Sequence, residues 1–104
     1  MKWKELKSRL PSRVHVGPKV YYDVFFATKI EFPSEVVGLS THEKQHIVVK
    51  SKLSDRQTVL TTFHEFLHAV AVVNGADLTE SQVVQLEEAF PYFYKFFEAL
   101  IKKP

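Results

Sequence analysis

Apolar positions along the chain change their period near Leu53. Upstream, β-branched and aromatic residues come in short runs, Val14-His15-Val16 and Val20-Tyr21-Tyr22-Asp23-Val24-Phe25-Phe26, parted by the turn signal Gly17-Pro18. Phe32-Pro33-Ser34 then breaks the pattern. Val36 to Leu39 and His46 to Val49 flank the polar stretch Ser40-Thr41-His42-Glu43-Lys44-Gln45, which reads as a hairpin with a loop of several residues. Three or four short antiparallel strands are predicted. Ahead of them, Trp3, Leu6 and Leu10 recur at helical spacing over residues 2–10, and Pro11 ends that helix.

Past Leu53 the spacing is helical. Ser54-Asp55-Arg56-Gln57 has the form of a capping box, and Asn74-Gly75 supplies a stop, so a helix is predicted over about 55–74. Val59, Leu60, Phe63, Phe66, Leu67, Val70 and Val73 share its broad apolar face. Gln57, Thr61, His64, Glu65 and His68 lie on the other side, with the histidines at the margin of the core face. Thr79 with Gln82 makes a second box, and Leu78 with Val83 a hydrophobic staple. They open a helix over about 79–102 that Pro91, which has no N–H to donate, must kink or restart. Its apolar face includes Val83, Leu86, Phe90, Phe93 and Phe97, and the aromatic cluster Phe90, Tyr92, Phe93, Tyr94, Phe96, Phe97 is expected to be core. The predicted fold is α+β, a small, mostly antiparallel sheet packed on these two helices.

Composition bounds the chemistry. With 104 residues, 45% of them hydrophobic, the chain fits one domain over 1–104. It has no cysteine, so any metal site must use nitrogen and oxygen. The start, MKWKELKSRLPS, lacks the apolar stretch of a signal peptide, and no run reaches the length of a membrane span, which leads to an expectation of a soluble cytoplasmic protein. The net charge of +2 is uneven: residues 1–20 carry six Lys/Arg against one Glu. Scattered lysines of this kind read as a solvated surface, and no nucleic-acid role is predicted from them.

Within the first long helix, Thr62-Phe63-His64-Glu65-Phe66-Leu67-His68-Ala69 sets two histidines and a glutamate in an apolar run. Four residues apart, His64 and His68 emerge one turn apart on one face, where both can place a ring nitrogen about 2.0–2.1 Å from one zinc ion. Glu65, turned by about 100°, stands beside such a metal as a base rather than a ligand. This is the H-E-x-x-H arrangement of zinc-dependent peptidases. By chance it arises in roughly one chain of this length in several hundred, and a chance match need not fall inside a capped helix preceded by strands. A catalytic zinc takes a third protein ligand. The metzincin extension fails, since Ala71 and Asn74 stand where it needs Gly and His, and no histidine follows His68. Downstream carboxylates remain: Asp77, Glu80, Glu87, Glu88 or Glu98. A tight antiparallel helical hairpin would bring Glu87 to the metal; a connection running back along the first helix would bring Glu80.

The chain resembles the zincin-like metallopeptidases of the ImmA/IrrE type, in particular the short stand-alone forms of phages and other mobile elements. The resemblance runs from about Leu10 to the C-terminus and rests on the hairpin Gly38-Leu39 to Ile47-Val48-Val49, on the segment 61–69, and on Leu78-Thr79-Glu80-Ser81-Gln82-Val83-Val84-Gln85-Leu86-Glu87. In such proteins a carboxylate opening an E-x-x-(A/V)-x-x-(F/L) helix is the third ligand, and Glu80, Val83 and Leu86 occupy that pattern. The connection from His68 to Glu80 is much shorter than in larger members, which keeps Glu87 as the alternative. The implied activity is a peptidase acting on a protein or peptide substrate, with one Zn2+ on His64, His68 and Glu80 and with Glu65 as general base. The competing expectations are a zinc-bound regulatory or interaction module with little turnover and, last, a metal-free scaffold. An oxyanion donor is expected from a Tyr, a His or a backbone N–H, with His42, His46, Tyr92 and Tyr94 as the available side chains, and a peptide-binding rail from the Val36–Thr41 or the His46–Lys50 strand.

Overall fold

The structure, a computed structural model, describes residues 1–28 and 36–102. The four strands are β1 (Arg13–Gly17), β2 (Val20–Ala27), β3 (Gly38–Thr41) and β4 (His46–Lys50). They form one sheet in the order β1-β2-β4-β3. β1–β2 and β3–β4 pair antiparallel, whereas β2 and β4 run parallel, with Asp23 opposite His46 and Ala27 opposite Lys50. The sheet is therefore mixed, and the expectation of antiparallel strands holds for the two hairpins alone.

Burial explains the order. Ile47 and Val49 of β4 have no exposed surface, and with Tyr22 and Val24 of β2 they build the core together with Val16 and Ala69. A strand this apolar needs neighbours on both sides. β3 contributes Gly38 and a half-exposed Leu39. It takes the edge, and β4 returns between it and β2. The break predicted at Phe32-Pro33-Ser34 lies outside the described residues.

Four helices complete the α+β fold: α1 (Trp3–Ser8), α2 (Asp55–Val73), α3 (Glu80–Glu88) and α4 (Phe90–Lys102). Among them, no helix is long and apolar enough to cross a membrane. α1 is shorter than its sequence spacing predicts. In α2, Ser54 Oγ accepts from the Gln57 N–H at 3.1 Å, which forms one half of the predicted box. The Thr79–Gln82 box of α3 is complete, with bonds of 2.9 and 3.1 Å. α2 ends at Asn74, whose side-chain amide donates to the Val70 and Val16 carbonyls, and Gly75 follows with φ +72°. Pro91 divides the predicted C-terminal helix in two, because its ring opposes the carbonyl of Glu87.

Two expectations about helix faces are corrected. On α2 the buried side chains include Val59 and Leu60 of the predicted apolar face, but also Thr61 and Glu65 from the side read as polar, together with Thr58 and Thr62, while Phe63, Phe66, Leu67, Val70 and Val73 are only partly buried. Small side chains let the sheet edge come close, and the helix satisfies two of the buried hydroxyls itself: Thr58 Oγ1 donates to the Ser54 carbonyl and Thr62 Oγ1 to that of Thr58. On α4, Tyr92, Phe93, Phe96 and Phe97 are exposed rather than core. Its start is what packs: Phe90 lies against Trp3 and Phe63, and Phe93 also meets Phe63. The basic N-terminal segment is partly neutralised, with Lys7, Arg9 and Arg13 paired to Asp55, Glu5 and Asp23.

The contact between β3 and α2 requires a glycine. A Cβ at Gly38 would stand 2.6 Å from Thr61 Cγ2 and 3.1 Å from Glu65 Cγ, both on buried helical residues. Gly38→Ala is therefore expected to lower stability by about 1–3 kcal/mol, measured as a shift in the urea midpoint. A variant as stable as the parent would contradict this packing.

Candidate metal centre

Helix α2 carries His64 and His68 one turn apart, with ring centroids 5.0 Å from each other. Opposite them, the Thr79 cap starts α3 so that Glu80 lies in its first turn. The Glu80 carboxylate spans both imidazoles, with Oε1 2.6 Å from His64 Nε2 and Oε2 3.0 Å from His68 Nε2. These three residues offer ligand atoms that all lie within 4.8 Å of one another, a group that could hold a metal ion.

Glu87, two turns further along α3, reaches the opposite edge of the first ring: its Oε1 is 2.7 Å from His64 Nδ1. Both carboxylates left open by the sequence thus touch His64, on different nitrogens. A neutral imidazole has a single N–H and can donate to only one of them. If Nδ1–H donates to Glu87, Nε2 is left with a lone pair facing Glu80 and His68, and a cation between them satisfies all three groups. Tetrahedral zinc would set its ligand atoms about 3.3 Å apart, so Glu80 would have to draw back from both imidazoles, and it is well exposed at the start of its helix. Among the other carboxylates, Glu98 pairs with Lys102, and Asp77 and Glu88 do not line this cavity.

The cavity holds about 570 Å³ and is walled by β3, α2 and α3. Glu65, Glu80 and Glu87 all line it, with His42, His64 and His68, and its described lining includes no lysine or arginine. Three carboxylates with no lysine or arginine among them favour a cation.

Glu65 is only 8% exposed. Ser40 Oγ lies 2.7 Å from its Oε1 and 3.1 Å from its backbone carbonyl, so β3 fixes both the carboxylate and the helix turn that carries it. Sequence reasoning did not single out Ser40, which it read both as hairpin loop and as part of a Val36–Thr41 strand; the residue belongs to β3. The signal was available: strand alternation puts Ser40 on the same face as Gly38, the residue that lets α2 approach.

The four expected oxyanion donors separate. His42 lines the cavity, and its Nδ1 is 2.9 Å from the hydroxyl of Tyr22, a buried residue that sequence reasoning did not single out. Burial pushes the Tyr22 phenol above its ordinary value, so the hydroxyl keeps its proton. His46 packs edge-on against Phe25, Tyr94 stacks on Phe90, and Tyr92 is exposed; none of these three lines the cavity.

No protein family, curated protein or solved structure matches the chain.

Substitutions divide the two carboxylates. Glu87→Ala is expected to weaken metal affinity by about 10–100-fold through the freed His64 ring, and Glu80→Ala by more, in a chelator competition with zinc. If Glu87→Ala is the more damaging of the two, their assignments are reversed.

Proposed function

We propose that the chain is a zinc-dependent peptidase. The observation that carries this reading is the placing of Glu65. A site built only to hold a metal has no use for a buried carboxylate clamped by Ser40 in the same cavity yet outside the ligand group. Two imidazoles and a carboxylate are the donor set of catalytic zinc sites that keep one position for water. The resemblance of the H-E-x-x-H segment and the Glu80 helix to the ImmA/IrrE type supports the same choice.

Zinc, when bound, supplies Lewis acidity that polarises a peptide carbonyl and makes a water easier to deprotonate. The chain's own residues do the rest. Glu65 takes the proton from the attacking water and delivers it to the departing amine, a role that needs a carboxylate held still by Ser40. Glu87 accepts from His64 Nδ1–H and fixes which nitrogen faces the metal. β3 is a sheet edge and lines the cavity, whereas β4 has strands on both sides, so β3 is the rail on which an extended peptide can pair.

A zinc-bound interaction module is the second reading, favoured by the exposed aromatic face of α4. One substitution separates the two. Glu65→Gln is expected to keep stoichiometric zinc while hydrolysis of a fluorogenic peptide mixture falls by about 10²–10⁴-fold. Equal turnover by parent and variant would remove Glu65 as the base, and zinc-loaded parent protein without turnover would favour the module.

A further inference from the structure

Tyr22 poses a question that the metal-binding residues leave unanswered. It stands on β2 with its ring in the core, 1% exposed, yet its hydroxyl must be satisfied. Among the described residues its partner is His42 Nδ1 at 2.9 Å. His42 is the first residue after β3, and the turn that follows closes through the Gln45 N–H donating to the His42 carbonyl at 3.3 Å. Backbone and ring are therefore both tied, on an exposed residue that lines the cavity containing Glu65 and Glu80. An exposed histidine needs no buried partner, so the pairing has the form of an orienting contact.

The direction of the bond follows from supply and demand. A buried phenol must donate its proton, and the acceptor within reach is Nδ1. A ring that accepts at Nδ1 carries its own proton on Nε2, at the edge away from Tyr22.

We propose that His42 is a further catalytic residue of this site: Tyr22 positions it as the Nε2–H form, and that N–H donates to the carbonyl oxygen of a bound peptide as the oxygen gains negative charge. Tyr22 is a positioning residue and touches no substrate. The inference rests on the peptidase reading for its substrate, and its geometry stands on Tyr22 and His42 alone.

Two measurements test it. Long-range 15N–1H correlation on metal-free protein in mildly alkaline buffer is expected to find His42 protonated on Nε2, with that preference lost in Tyr22→Phe; protonation on Nδ1 in the parent, or no change in the variant, overturns the proposal. The second measurement is binding of a phosphinic peptide, a mimic of the tetrahedral intermediate, to zinc-loaded protein. His42→Ala is expected to weaken it by about 10²–10³-fold at unchanged zinc affinity, and His42→Gln, which restores an N–H, to recover part of the loss. Undiminished binding by His42→Ala, or no binding by the parent, overturns the proposal. If the parent binds the phosphinate through His42 but hydrolyses no peptide, the peptidase reading fails and the donor assignment survives.

Discussion

A buried carboxylate is costly unless something donates to it, and in this chain the donor to Glu65 comes from a strand 25 residues upstream. The Ser40–Glu65 bond forms only because β3 lies close over α2, which in turn requires the missing side chain at Gly38 and the small one at Thr61. One edge strand thus does three things. It closes one wall of the cavity, holds the proposed base, and begins the turn that carries His42. A polar strip on the buried side of α2 is what this arrangement demands, and Thr58, Thr61, Thr62 and Glu65 supply it.

The second layer of the site is electrostatic. Glu80 and Glu87 approach His64 from opposite sides, one shared with His68 and the other not. The capping box at Thr79 sets where α3 begins, and the seven residues from Glu80 to Glu87 span about two helical turns, so both carboxylates point back at α2. The choice between them posed by the sequence becomes, on the proposed reading, a division of labour: Glu80 would face an ion and Glu87 would orient His64. The same division would account for a cavity so rich in acids, because a dication and an imidazole N–H would each need an anionic partner.

Local signals were legible in the sequence, and long-range ones were not. The caps at Ser54 and Thr79, the stop at Asn74-Gly75 and the interruption at Pro91 are contacts within a few residues, and each falls where the chain predicts it. The spacing of His64 and His68 is local too, as is the α+β class. The parallel pairing of β2 with β4 depends on which strand can bear burial on both sides, a comparison between distant segments. Ser40 stayed unremarked because its partner, the Glu65 carboxylate, lies 25 residues away along the chain. The apolar stripe of α2 does meet the core, through Phe66, Val70 and Val73, but the spacing did not show that the helix also buries a polar strip where the β3 edge comes close. The aromatic residues of α4 resemble core in composition, yet their helix packs chiefly through its first turn.

The central claim is that His64, His68 and Glu80 form a metal centre with Glu65 beside it and Glu87 behind it. Anomalous diffraction at the zinc edge from zinc-loaded crystals tests it most directly. The account predicts one zinc bound by His64 Nε2, His68 Nε2 and a Glu80 oxygen, with Glu87 on His64 Nδ1 and Glu65 outside the ligand set. Zinc held through His64 Nδ1 and Glu87, or no zinc in this cleft, would contradict it.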